Sequence, residues 1–264
     1  MSILKEIRKY KLEFIENQKS NISQSEIIDK CKNVNSDNAN LFSKKLINER
    51  NQKISIIGEL KRSSPSAGDI VNKSINLIEL AKQYEKNGIS CISVLTDEKY
   101  FNGSNEDLIK VKKNTNLPVL RKDFIVDQYQ IFESKIIGAD CILLILSILD
   151  EIESSLFEQI ALDIGLDVLI EVHNEKEMKR AEKMKSPLVG INNRNLSDFS
   201  VDINNSINVS RSMNSNKIPI AESGFHSRID IDYVLKNSKI DTFLIGEALM
   251  KSSNLSQNIK NFIN

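Results

Sequence analysis

From residue 54 onward the chain repeats one unit eight times: a short run of apolar, β-favouring residues, then a longer stretch with helical periodicity. The runs begin at about Ile54, Cys91, Val119, Cys141, Asp167, Leu188, Ile218 and Thr242. Strand-then-helix alternation is the pattern of a parallel sheet, because parallel neighbours need a crossover that a helix supplies. The punctuation agrees. Gly88, Gly138 and Gly165 each close a helical pattern just before a strand, where a left-handed cap favours glycine, and Pro118, Pro187 and Pro219 sit at or near strand starts. Runs such as Cys141 to Leu146 and Thr242 to Ile245 are continuously apolar, as expected of strands covered on both faces. Eight such units close best as an α/β fold of the (β/α)8 TIM barrel type. A doubly wound sheet is the rival, but no GxGxxG follows the first strand.

A length of 264 residues suits one such domain. The barrel is expected over 51–264, with an N-terminal helical extension over 1–50 packed on it. Ile3, Leu4, Ile7, Tyr10, Phe14 and Ile15 recur at helical spacing. Ser23 and Glu26 have the spacing of a capping box opening a second helix, and a third is expected around Leu41 to Ile47. The favoured reading is that these helices cover a barrel end or flank; the other is that they also close over an active site.

Lysine plus arginine equals aspartate plus glutamate at 36 each, which points away from nucleic acid and from anionic membranes and toward a small ligand. Cys31, Cys91 and Cys141 lie far apart with no CxxC pair, which fits a reducing cytoplasm. The charged N-terminus has no apolar core for a signal peptide, and no run approaches membrane-spanning length. A soluble cytoplasmic monomer is expected. Neither histidine, His173 or His226, has a partner at ligand spacing, so no metal site is expected.

Barrel enzymes carry their chemistry at the C-terminal ends of the strands, so polar residues that end apolar runs are the informative ones. The first run ends in Glu59 and Lys61, which a period of two places on one face; the third ends in Lys122, the fifth in Glu171, and the sixth passes through Asn192 to Arg194. The seventh and eighth end in Glu222-Ser223-Gly224 and Gly246-Glu247. Any single pair of these charges is explained as well by an internal ion pair as by catalysis. Six strands ending this way at one mouth favour acid–base chemistry, with an ammonium as acid and a carboxylate as base. Ser64, in the Ser63 to Gly68 loop, joins the loops after the seventh and eighth strands as a site for a phosphate. His173 is expected behind the mouth or in the following loop, and His226 reads as incidental. The glycine of Tyr100-Phe-Asn-Gly-Ser104 suggests only a turn.

Taken in order, several strings resemble the indole-3-glycerol phosphate synthase family of tryptophan biosynthesis. They are Glu59-Leu-Lys-Arg-Ser-Ser-Pro-Ser66, Ser93-Val-Leu-Thr-Asp97 with Tyr100 to Ser104, Leu120-Arg-Lys-Asp-Phe-Ile125, Leu169-Ile-Glu-Val-His173, Val189 to Leu196, Ile220-Ala-Glu-Ser-Gly224 and Phe243 to Met250. The resemblance covers essentially the whole chain, including the Ile3-Leu4-x-x-Ile7 helix. It implies closure of 1-(2-carboxyphenylamino)-1-deoxyribulose 5-phosphate to an indole with loss of carbon dioxide and water, and no cofactor. On that resemblance Lys122 is the general acid, Glu171 and Glu59 handle later proton transfers, and Lys61 partners the substrate carboxylate and is a second acid. Asn192 and Arg194 bind the anthranilate portion, and Glu222 a ribulose hydroxyl. Ser64, Ser223, Gly224, Gly246 and Glu247 cradle phosphate, while Phe124, Leu143 and Leu196 sandwich the aromatic ring. Gly58 departs from the family's common alanine, and Ala67 from a frequent lysine. The rival readings are a Schiff-base sugar-phosphate lyase with Lys122 as nucleophile and a non-catalytic phospho-ligand binding barrel.

Overall fold

A computed structural model of the chain describes residues 3–34, 39–64, 68–69, 76–213, 216–252 and 254–264. Eight parallel strands form a closed barrel: β1 (Ser55–Leu60), β2 (Cys91–Leu95), β3 (Val119–Lys122), β4 (Cys141–Ile145), β5 (Asp167–Val172), β6 (Leu188–Asn192), β7 (Ile218–Glu222) and β8 (Thr242–Ile245). Consecutive strands are neighbours, and β8 closes on β1 through Ser55 to Gly58 against Thr242 to Ile245. All eight expected runs became strands. Glycine does what the sequence required at the helix ends: Gly88, Gly138 and Gly165 have φ of 89°, 90° and 76°.

Three helices precede the barrel: α1 (Ile3–Asn21), α2 (Gln24–Lys32) and α3 (Leu41–Glu49). The capping box forms as the spacing predicted, with the Glu26 amide donating to Ser23 Oγ and the Ser23 amide donating to Glu26 Oε2 at 2.7 Å. Between and after the strands lie α4 (Leu77–Lys86), α5 (Glu98–Phe101), α6 (Asn105–Lys112), α7 (Gln128–Ile136), α8 (Glu151–Asp163), α9 (Glu175–Ala181), α10 (Asn204–Ser210), α11 (Arg228–Asn237), α12 (Glu247–Met250) and α13 (Leu255–Ile263).

Apolar burial is continuous from the extension into the barrel. Ile15, Ile27, Phe42 and Leu46 belong to one buried cluster with Leu144, Ile170 and their neighbours on β4 to β6. A second cluster around Ile56, Tyr84 and Phe243 fills the side where β8, β1 and β2 meet. Tyr84 also explains Gly58, since a Cβ there would lie 2.6 Å from the tyrosine ring. The buried tyrosine ring takes the volume that an alanine methyl would need.

Candidate active site

The strand ends converge on a cavity of about 170 Å³. Into it β1 sends Glu59 and Lys61, β3 Lys122, β5 Glu171, and β6 Asn192 and Arg194. Glu222, Ser223 and Gly224 enter from β7, Gly246 and Glu247 from β8, and Phe124, Leu143 and Leu196 supply apolar wall. Strand register brings distant residues together: Asn192 pairs with Glu222, Glu171 with Gly190, and Leu95 with Lys122. The other residues assigned to the site from the sequence, Ser64 set aside, all line this cavity. The Ser64 backbone pairs antiparallel with Gly68. Its side chain, and residues 65–67, lie outside the described residues.

Two ammonium groups and three carboxylates share the floor. Lys122 Nζ lies 2.5 Å from Glu222 Oε2 and 3.3 Å from Glu171 Oε2, and Lys61 Nζ lies 2.6 Å from Glu59 Oε1. Glu59, Glu171 and Glu222 are only 5%, 2% and 1% exposed, so their charges are poorly screened. Burial works against the Lys122 ammonium, but the carboxylates of Glu222, Glu171 and Glu59 outweigh it and hold its pKa above the ordinary lysine value. Burial also opposes the charged forms of Glu59 and Glu171. Lys61 and Lys122 overcome it for Glu59, and Lys122 and His173 for Glu171, keeping both below the usual carboxylate value.

Glu222 goes the other way. Burial, with Glu171 and Glu59 nearby, pushes it up to about 7 against the pull of Lys122. Its Oε1 has no hydrogen-bond partner, which is consistent with a carboxyl whose charge is hard to sustain. Three buried acids thus divide into two held as anions and one that titrates near neutrality, the spread that proton-transfer chemistry uses.

Asn192 organises the β6 side. Its Nδ2 donates to Glu171 Oε1 at 3.3 Å, while its Oδ1 accepts from Ser223 Oγ and from the Arg194 amide, each at 3.0 Å. Arg194 Nη1 donates to the Phe199 carbonyl at 3.0 Å, which sets the guanidinium across the cavity mouth. Glycine is required in two places by the carboxylates themselves. A Cβ on Gly190 would collide with the Glu222 carboxylate, and one on Gly246 would lie 2.5 Å from Glu59 Oε1. Ser223 has φ of 68°, an uncommon conformation for a side-chain-bearing residue, and Gly224 follows at 91°.

The helical extension does more than cover an end of the barrel. Ile3, Leu4 and Ile7 of α1 line the same cavity, so the helix also roofs it. Two contacts hold the roof. Arg8 Nη1 donates to the Ile148 carbonyl at 2.8 Å and its guanidinium pairs with Glu153. Lys11, 4% exposed, inserts its ammonium between Asp97 at 3.1 Å and Asp123 at 2.6 Å, directly after the ends of β2 and β3. Asp123 also pairs with buried Arg121, which reaches Glu133 at 2.6 Å. A run of aromatic contacts follows the same path, from Tyr10 to Tyr100 to Phe124 and on to Phe101.

Sequence reasoning missed several wall residues: Leu95, Phe101, Phe199, Phe225 and Leu244 line the cavity, and so does His226, which had read as incidental. Position at a strand end was a usable signal for Leu95 and Leu244. Phe101 ends the one-turn helix α5 and Phe199 sits in a connection, where nothing in a single sequence separates a wall residue from an ordinary turn. His173 lies behind the mouth, as expected, with Nε2 3.4 Å from Glu171 Oε1 and Nδ1 3.3 Å from Glu177 Oε2. Among the described residues no cluster of three or more His, Cys, Asp or Glu side chains is arranged to hold a metal, and no helix is long and apolar enough to cross a membrane.

Comparison with known proteins gives a matching family, sequence relatives and structural neighbours. The family model described as "Indole-3-glycerol phosphate synthase" matches residues 4–262. A protein of that name from Legionella pneumophila (strain Lens) is 46% identical over 202 residues, covering 76% of this chain and 78% of the relative. Another from Clostridium kluyveri is 42% identical over 261 residues, covering 99% and 97%. Among solved structures, the thiamine phosphate pyrophosphorylase of Pyrococcus furiosus superposes with a TM-score of 0.59 at 15% identity over 81% of this chain and 95% of that one. A mutant tryptophan synthase alpha-subunit from the same organism superposes with a TM-score of 0.59 at 12% identity over 80% and 98%. At those identities the likeness concerns the fold.

Proposed function

The chain belongs to the indole-3-glycerol phosphate synthase family, a carboxy-lyase of tryptophan biosynthesis acting on a phosphorylated small molecule, and on that premise we propose how the barrel mouth performs the reaction. The substrate, 1-(2-carboxyphenylamino)-1-deoxyribulose 5-phosphate, closes to an indole and loses carbon dioxide and water. Lys122 acts as general acid, protonating the substrate carbonyl as the aromatic carbon attacks. The observation that carries this is its position: one ammonium held between Glu222 and Glu171 in a cavity walled in part by Phe124, Leu143 and Leu196. Its carboxylate partners keep it charged and aimed until substrate displaces part of that network.

Glu171 and Glu59 take the later proton transfers and the dehydration. Lys61 partners the substrate carboxylate and serves as a second acid, exchanging Glu59 for the ligand. Arg194 and Asn192 hold the anthranilate end, the guanidinium as a two-pronged donor to a carboxylate. Glu222 accepts from a ribulose hydroxyl. Ser64, Ser223, Gly224, Gly246 and Glu247 cradle the phosphate. The positive φ of Gly224 and the start of α12 at Gly246 support backbone N–H donation there. Phe124, Leu143 and Leu196 flank the aromatic ring, and the α1 roof excludes water from the ring closure. The enzyme is read as a cytoplasmic monomer needing no metal or organic cofactor.

The test is fluorescence of indole formed from this substrate in chelator, and the chain's lack of tryptophan removes the usual protein background. A signal that survives chelation is expected. Borohydride should trap no covalent adduct on Lys122; a trapped adduct would point to the Schiff-base lyase instead.

A further inference from the structure

The reaction takes up one proton overall. The substrate carboxylate leaves as carbon dioxide, so with that carboxylate ionised the products, carbon dioxide, water and indole-3-glycerol phosphate, together hold one proton more than the substrate. One proton must therefore enter at each turnover. Glu171 is 2% exposed and lies beneath the α1 roof, and its Oε2 faces Lys122 while its Oε1 meets Asn192.

From the side away from the cavity, Glu171 Oε1 is approached by His173. Its Nε2 lies 3.4 Å away and has no hydrogen-bond partner, and its Nδ1 lies 3.3 Å from Glu177 Oε2. The ring does not line the reaction cavity. It lines a neighbouring groove, which adjoins the cavity at Asn192, Arg194 and Leu196, together with Glu177, exposed Asn174 and exposed Asn195. His173 therefore spans the wall between buried carboxylate and wet groove. We propose that His173 and Glu177 form a relay carrying one proton per turnover from the groove to Glu171; this rests on the reading in which Glu171 handles a proton in the reaction.

The step balances with one proton drawn from water. The His173 imidazolium gives up its Nε2 proton as an O–H bond forms on Glu171, while Nδ1–H stays on the Glu177 carboxylate. Glu171 then gives its proton to the departing hydroxyl, which leaves as water, and a turn of the ring brings Nε2 to water in the groove, whose proton restores the imidazolium. Three carboxylates face the imidazole: Glu171 from β5, Glu177 from α9 and Glu222 from β7. Burial opposes its charged form, and the Glu177 hydrogen bond with these charges outweighs burial, raising its pKa above the ordinary histidine value. Two contacts fix the His173 backbone and leave Nε2 unoccupied. The Glu177 carboxylate accepts the His173 amide at 2.8 Å, and Asn205 Nδ2 donates to the His173 carbonyl at 3.1 Å.

His173 is thus a positioning residue acting through Glu171, and its test needs a readout that mere support of the fold would not move. Steady-state indole formation is compared in the full chain for wild type, Glu171→Gln, Glu177→Gln and His173→Ala, the last with and without free imidazole. Glu177→Gln and His173→Ala are expected to slow by about tenfold or more with KM within about twofold, and imidazole should restore His173→Ala. Wild-type rates in Glu177→Gln, or no response to imidazole in a folded His173→Ala, would overturn the relay. Glu177→Gln decides alone if His173→Ala does not fold. A Glu171→Gln protein that reacts normally would overturn the underlying reading of Glu171, a result distinct from failure of the relay.

Discussion

Lys122 and Glu222 form the tightest ion pair of the cavity floor, and they make separate predictions. Lys122→Met keeps the chain length but removes the acid, and turnover should fall by about a hundredfold or more while substrate still binds. Wild-type turnover in the fluorescence assay would remove Lys122 from the mechanism. Glu222, raised to about 7, loses its proton as pH climbs through neutrality. Each ionised Glu222 adds negative charge to a mouth that must admit an anionic substrate, so KM should rise between about pH 6 and pH 8. Glu222→Gln cannot ionise and should flatten that rise; an unchanged step in the pH profile would assign it to another group. The identities of these residues were legible from strand ends alone. That both pKa values rise, keeping Lys122 charged and bringing Glu222 toward neutrality, was not, because the shifts depend on burial and on distances between β3, β5 and β7 that no local sequence window contains.

At the scale of elements, the informative object is α1. Its helical period was readable, but its role as roof was not, since Lys11 looks like any solvated lysine until Asp97 and Asp123 are brought to it. Lys11→Met should cost about 3–5 kcal/mol in urea denaturation, because it leaves buried Asp97 without a cation and Asp123 with Arg121 alone. A loss below about 1 kcal/mol would place the clamp among weakly coupled surface pairs. The pH dependence checks the same pair. Burial opposes the Asp123 anion, and Lys11 and Arg121 overcome it, so its pKa lies below the ordinary value of 3.8. A depressed carboxyl contributes stability that is present above its unfolded pKa and lost as pH falls through the folded one. Between about pH 5 and pH 3 the wild type should therefore lose stability more steeply than Lys11→Met.

Across the whole molecule, Phe42 and Leu46 are fully buried in the cluster shared with β4 to β6, so the extension is expected to fold with the barrel. The full chain should unfold in one transition followed by far-UV circular dichroism and should sediment as a single copy. The chain from residue 51 onward should expose that apolar surface and bind a hydrophobic dye. Two separate transitions would mark residues 1–50 as an independent unit. The sequence by itself determined the number, order and type of the barrel elements, because strand and helix periods, glycine caps and polar strand ends are local properties of the chain. It also determined which residues meet at the mouth, since closing eight parallel strands brings all their C-terminal ends to one side. Only the tertiary structure decided how those residues act on one another: which carboxylate stays charged, which lysine of α1 is buried, and that His173 bridges the mouth and an outer groove. Electrostatic energy depends on separation and desolvation in three dimensions, and neither quantity exists until the chain has folded.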